Sequence, residues 1–415
     1  MSFSFFKASR GPKTPSELAK AVKDSFNALD SITVAEVKAL EKAMEEVEKN
    51  IVAMKVMLAG DGDVEPNHDQ VSQLTLEVCN EDVIALFIHK LPILGWEARK
   101  NLVHCWSIML KQKVDSTFCC VQYMEKHLEL LDFLVVCYDN KEIALHCGGM
   151  LRECIKLPSL AKYILESPSF ELFFKFVELP NFDVASDAFS TFKNLLTKHE
   201  SAVSHYLTDN YSEFFEQYEK LLTSPNYVTR RQSLKLLSEF LLEPPNSHIM
   251  KRYIAEVGHL KVMMNLLKVF HVVSRFLSHS NVSLVKIIGI KQKHPNLCFP
   301  HFQGDIVLPL AILLSDKKGK GRKQELNAPG CPLCLVCTYR LRVCRPHAYT
   351  ILLQVFVANP NKPREIKLIL AKNHERLLAL LNNLGKGGED DQFEEEKELI
   401  MKEIEKVSRL ANLES

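Results

Sequence analysis

The sequence predicts an all-α chain, an armadillo/HEAT-like helical-repeat solenoid that curves around a concave groove, and three observations predict it. Residues 98–112, 142–155, 183–198 and 229–242 each carry apolar side chains at i, i+3, i+4 and i+7, the stripe of an amphipathic helix. Trp106, Leu151, Phe192 and Leu236 occupy corresponding places in these runs, spaced 45, 41 and 44 residues apart, and four residues beyond them stand Leu110, Ile155, Leu196 and Phe240, all apolar. Strand-like alternation is scarce outside a region around 270–310. A period of about 40–47 residues with two or three helices is that of armadillo and HEAT repeats, whose units bury their apolar stripes only against their neighbours.

The elements follow in order. Thr14, Pro15 and Glu17 supply an N-cap, a proline at the first helical position and a capping-box acid, and Leu18, Val22, Phe26 and Leu29 recur behind them at helical spacing. Breaks are expected at 60–68, at Glu243-Pro244-Pro245-Asn246, at Asn359-Pro360-Asn361 and at 385–389. Between the landmark runs lie further helical stretches, such as 201–207 and 212–222. Residues 391–410 are Glu/Lys-rich, with Phe393, Ile400, Ile404 and Val407 on one side, and read as a helix that caps the array.

Composition bounds the function. The 415 residues are 47% apolar and 25% charged, the balance of an ordinary globular protein, and 52 Lys plus Arg against 51 Asp plus Glu leave a net charge of +1. Near-neutrality argues against a chain-wide nucleic-acid footprint. The first residues lack the pattern of a secretory signal, position 2 is Ser rather than Gly, and no apolar run approaches the ~20 residues that span a bilayer. A cytoplasmic protein is expected, with its 12 cysteines reduced; Cys79, Cys105, Cys119, Cys120, Cys137, Cys147 and Cys154 read as small core hydrophobes.

No enzyme pattern appears. Asp61-Gly62-Asp63-Val64-Glu65 resembles a calcium loop, but Pro66 and Ser72 stand where an EF-hand needs Gly and Glu. The Gly-rich stretches at 318–323 and 385–388 do not form a P-loop, and no GxSxG, HExxH or kinase motif set is present. His104-Cys105 and His146-Cys147 read as core pairs. No cofactor and no small-molecule substrate are expected. The weak metal candidates are Cys331, Cys334 and Cys337 with Cys344, beside a basic stretch at 316–345 of net charge +6.

Four stretches carry a resemblance: EIALHCGGMLRECIK at 142–156, FDVASDAFSTFKNLLTKH at 182–199, NYVTRRQSLKLL at 226–237 and VFVANPNKPREIKLIL at 355–370. They resemble the mouse protein 25 family, also called calcium-binding protein 39. The resemblance spans residues 1 to about 268 and 355 to about 410. It implies a non-catalytic scaffold that binds and allosterically activates sterile-20-like serine/threonine kinases or their pseudokinase partners through a concave face, with a C-terminal pocket for a Trp-Glu-Phe tail. The family's concave-face aromatic and arginine fall on Phe182 and Arg231, and its pocket positions fall on Met264 and Lys372. Pro244 and Ser247 stand where animal members carry a basic and an aromatic residue. No nucleic acid or membrane partner is implied.

Three segments result: repeats over 1–268, an atypical block over 269–354, and a repeat with its capping helix over 355–415. The block stands where the family has about fifteen residues of amphipathic helix before Val355. Its 86 residues are expected to be mostly irregular, to leave the face beside Met264, Leu266 and Leu267 partly uncovered, and to come most simply from retained intron sequence. The alternative is a genuine insertion that adds zinc-dependent binding of nucleic acid or a membrane surface.

Overall fold

The computed structural model describes residues 13–30, 37–62, 64–279, 347–383 and 391–413. Every regular element among them is a helix; the only β-pairing is the isolated bridges Asp61–Val64 and Val114–Thr117, which close tight turns. The chain divides into two compact units, 1–206 and 207–415.

The N-terminal unit holds α1 (Pro15–Asp30), α2 (Val37–Ala59), α3 (His68–Asn80), α4 (Val83–Lys90), α5 (Trp96–Met109), α6 (Cys119–Lys126), α7 (Glu129–Val136), α8 (Ala144–Cys154), α9 (Pro158–Glu166), α10 (Leu172–Phe176) and α11 (Phe182–Thr197); α12 (Glu200–Asp209) carries the boundary. The α1 cap forms as its sequence predicts. Glu17 Oε2 accepts from the Thr14 backbone N–H at 2.9 Å, and Thr14 Oγ1 accepts from that of Glu17 at 3.3 Å. The landmark helices α5, α8 and α11 pack in succession, with Trp106, Leu151 and Phe192 at most 1% exposed.

Polar contacts cross this apolar stack at defined points. Trp106 Nε1 donates to the Met150 carbonyl at 3.2 Å, tying α5 to α8. The guanidinium of Arg99 is buried and donates to three carbonyls, those of Leu91, Pro92 and Glu142, at 2.8–2.9 Å. Between α8 and α11, Asp187 accepts from Tyr138 Oη at 2.7 Å and pairs with Arg152 at 2.7 Å, while Thr191 Oγ1 meets both Tyr138 and Arg152. Gly148 lies against this group: a Cβ there would fall 2.0 Å from Asp187 Oδ2 and 2.3 Å from Tyr138 Oη.

The C-terminal unit holds α13 (Tyr211–Leu222), α14 (Tyr227–Leu241), α15 (Ser247–Tyr253), α16 (Val257–His279), α17 (His347–Ala358), α18 (Arg364–Lys372), α19 (His374–Asn383) and α20 (Asp391–Leu413). The fourth landmark, Leu236, is buried in α14. His259 sits against Glu219 at 2.5 Å and Glu256 at 3.1 Å and stacks on Tyr253 at 3.9 Å, binding α16 to α13 and α15. Ile400, Ile404 and Val407 of α20 are buried, and that helix packs on α17, α18 and α19, the capping role its stripe predicts.

The block 269–354 departs from expectation at both edges. Helix α16 continues through 269–279, where Val269, Val272, Val273 and Phe276 recur at helical spacing, and α17 begins at His347. The helix expected to be missing before Val355 is therefore present as the first half of α17. Leu352, Leu353 and Phe356 are buried and α17 packs on α14, α16 and α20; of the face expected to be partly uncovered, Leu267 is 3% exposed while Met264 and Leu266 are half-buried. Cys331, Cys334, Cys337 and Cys344 lie outside the described residues.

The α8–α11 seam generates a prediction. Gly148→Ala should destabilise the chain by about 2 kcal/mol, the usual cost of overpacking, because Tyr138 and Asp187 must give way together. Denaturant unfolding followed by circular dichroism reads it; an unchanged midpoint would show that the seam tolerates the methyl.

Candidate partner-binding site

Phe182 opens α11 with its ring in solvent. Asn181 caps the helix, its Oδ1 accepting from the backbone N–H groups of Asp183 at 3.0 Å and Val184 at 3.2 Å, so the first turn is fixed without the aromatic ring. Phe182 is 65% exposed, and the next residues on its side of the helix, Ser186 and Ser190, are small and exposed. The core reading of this ring is thereby excluded.

The same place on the preceding repeats was not singled out by sequence. Trp96 opens α5 at 60% exposure and Leu145 stands in the first turn of α8 at 39%, so three successive packed helices each present a large apolar side chain at their N-terminal turn. The Trp96 ring meets His146 edge-on at 4.7 Å, joining the first turns of α5 and α8. The available signal lies nine or ten residues before the landmarks Trp106, Phe192 and Leu236: Gly95-Trp96, Asn181-Phe182 and Asn226-Tyr227 are each a turn residue followed by an aromatic.

In the C-terminal unit, Arg231 is exposed on α14 and shares a stripe with Val228 and Lys235, while Asn226 caps the helix through a 2.9 Å bond from the Val228 N–H. Met264 is half-buried on α16, and Lys372 is the exposed last residue of α18; α16 packs on both α18 and α19, so their elements are brought together. A separate open cavity of about 750 Å³ lies between α17, α18 and α20. Val357, Leu368 and Leu399 line it together with the charged Arg364, Lys367 and Lys406; neither Met264 nor Lys372 does. In the same lining, burial holds the Lys362 ammonium below its usual pKa.

The sequence profile described as Mo25-like matches residues 4–284 and 339–408. The chain belongs to the Mo25-like family. It is a scaffold protein of the MO25 type. A mouse protein described as calcium-binding protein 39-like is 35% identical over 404 residues, 97% of this chain and 98% of its own length. A Mo25-like protein of Schizosaccharomyces pombe is 31% identical over 408 residues, 98% of this chain and 100% of its own. The family match runs through the end of α16 and resumes before α17, which narrows the unmatched stretch to 285–338. No helix among the described residues is long and apolar enough to cross a membrane.

Two outcomes are expected. Burial first, and then the positive charge of Arg99, hold the pKa of His146 below the imidazole value of 6.5. The folded chain therefore binds fewer protons than the unfolded one as pH falls below that value, and the stability present above it is lost on the way down to the folded pKa. Between about pH 7 and 5 the denaturation midpoint should fall more steeply for the parent than for His146→Gln; parallel curves would clear His146. Second, deletion of 285–338 leaves residues 280–284 and 339–346 to join α16 to α17, which already pack together, so the melting temperature should hold within a few degrees. A large drop would assign the removed stretch a structural role.

Proposed function

We propose that the chain binds and allosterically activates a sterile-20-like serine/threonine kinase or pseudokinase, performing no chemistry itself. The observation that carries this reading is the 65% exposure of Phe182 on a helix whose cap and core do not use the ring. Exposed aromatics and arginines on rigid elements are the residue types that anchor interfaces, because they add large contact area or a fork of donors at modest entropic cost. Trp96 and Leu145 extend the apolar part of the surface along the same unit, and Arg231 contributes a carboxylate-binding fork on α14. A scaffold that docks the kinase's active arrangement better than its inactive one shifts the equilibrium by its differential affinity, about 1–3 kcal/mol in typical cases. Met264 and Lys372 are proposed to take part in holding a partner's tail, with Pro244 and Ser247 altering the side-chain preference there.

Phe182→Ala and Arg231→Ala should each weaken binding to the kinase domain by about 2 kcal/mol, roughly thirtyfold in Kd, and reduce kinase stimulation in step, with thermal unfolding unchanged. Isothermal titration with matched kinase assays measures both. Wild-type affinity in both variants would remove these residues from the interface.

A further inference from the structure

Outside the proposed partner surface, three thiols from two places in the sequence meet in the N-terminal unit. Cys79 lies in the last turn of α3, and Cys119 and Cys120 open α6. The Sγ atoms of Cys79 and Cys120 are 3.3 Å apart, and all three Sγ atoms lie within 4.8 Å of one another. Among the described residues this is the only group of three or more potential metal-ligating side chains so placed.

The surrounding backbone is built to deliver them. Asp115 and Ser116 both take positive φ, 48° and 69°, the conformation of a two-residue hairpin turn of type I′, and Val114 and Thr117 close it with bonds of 2.8 and 2.9 Å. That turn reverses the chain after α5 and feeds Phe118 directly into Cys119-Cys120. On the other side, Asp82 holds φ 61° at the α3–α4 junction, and its Oδ1 accepts from Tyr123 Oη of α6 at 2.6 Å. Gln112 Nε2 adds a 2.8 Å bond to Ser72 Oγ of α3. These ties hold the start of α6 against the end of α3, whose final turn supplies the third sulfur.

We infer that Cys79, Cys119 and Cys120 form a three-thiolate site for one soft, thiophilic ion, of the zinc(II) or copper(I) kind. Sulfur bonds of about 2.3 Å to a shared ion place its thiolates about 3.8 Å apart, inside the spread seen here, so small side-chain adjustments suffice. Soft sulfur ligands select zinc and monovalent copper over magnesium or calcium. Cys120 is 1% exposed and Cys119 9%, while Cys79 is only half-buried, so the ion would be shielded on the α6 side and reached from the α3 side; three-coordination suits copper(I), and zinc(II) would complete its four with water. The inference is independent of the kinase-scaffold reading.

The test uses the full reduced chain with Cys298, Cys331, Cys334, Cys337 and Cys344 changed to Ser, which removes the thiols outside the described residues. Zinc chloride and, anaerobically, acetonitrile-stabilised copper(I) are titrated in separate arms against a competing chromophoric chelator. One ion per chain is expected in at least one arm, with loss of about three reactive thiols and a rise in melting temperature. Cys119→Ser, at a partly accessible position, and Cys79→Ser with Cys120→Ser should each weaken it at least a hundredfold. Circular dichroism identifies any variant that fails to fold, in which case Cys119→Ser alone decides. Equal binding by parent and folded variants in both arms would overturn the site. So would fully reduced, folded protein that takes up neither ion.

Discussion

The architecture of the N-terminal unit depends on how each landmark helix is held to the next. A repeat helix has no core of its own, so α8 is positioned by what α5, α7 and α11 offer it. Apolar burial draws the three together, but it is non-directional and does not by itself set register. Register comes from a few directional contacts: the Trp106 indole on the Met150 carbonyl, Arg99 on the carbonyls of Leu91, Pro92 and Glu142, and the Tyr138–Asp187–Arg152–Thr191 group that Gly148 makes room for. Because the first turns of α5, α8 and α11 are fixed by these bonds, the side chains they carry outward stand on a rigid frame. Trp96, Leu145 and Phe182 are presented in that way.

Presentation on a rigid frame matters energetically. A ring that is already ordered loses little freedom when a partner covers it, so more of its buried area appears as affinity. Phe182 needs no rearrangement to be reached, since Asn181 satisfies the helix start without it. Trp96 is steadied by its edge contact with His146, whose own ring is buried. The thiol cluster at α3 and α6 draws on the same principle at another place, with paired αL residues in a turn and one tyrosine–aspartate bond setting three sulfurs together.

How much of this was legible depends on whether the signal is local. The capping box at Thr14 and Glu17, the landmark positions Trp106, Leu151, Phe192 and Leu236, and the capping helix with Ile400 and Ile404 are all periodic or motif signals, and the structure places them where the pattern requires. Arg99 reads as a surface charge inside an amphipathic run; only the folded chain brings it three carbonyls from outside its own helix. Cys79 is separated from Cys119 and Cys120 by the whole of α4 and α5, and no spacing rule joins them. The continuation of α16 to His279 was legible in Val269, Val272, Val273 and Phe276, and α17 in its own apolar run. The recognisable motif stops at Lys268, so resemblance alone marks neither helix within 269–354.

The central claim is that the N-terminal turns of the repeat helices, with Phe182 foremost, are the surface a kinase partner covers. Amide hydrogen exchange of the full chain, with and without a sterile-20-like kinase domain, measures this directly, because first-turn N–H groups, held by a side-chain cap or by water, open more readily than those of the helix interior and slow when covered. Slowed exchange at the starts of α5, α8, α11 and α14, with α3 and α6 unchanged, is the expected result. Protection confined to other helices, with the first turn of α11 exchanging as in the free chain, would contradict it.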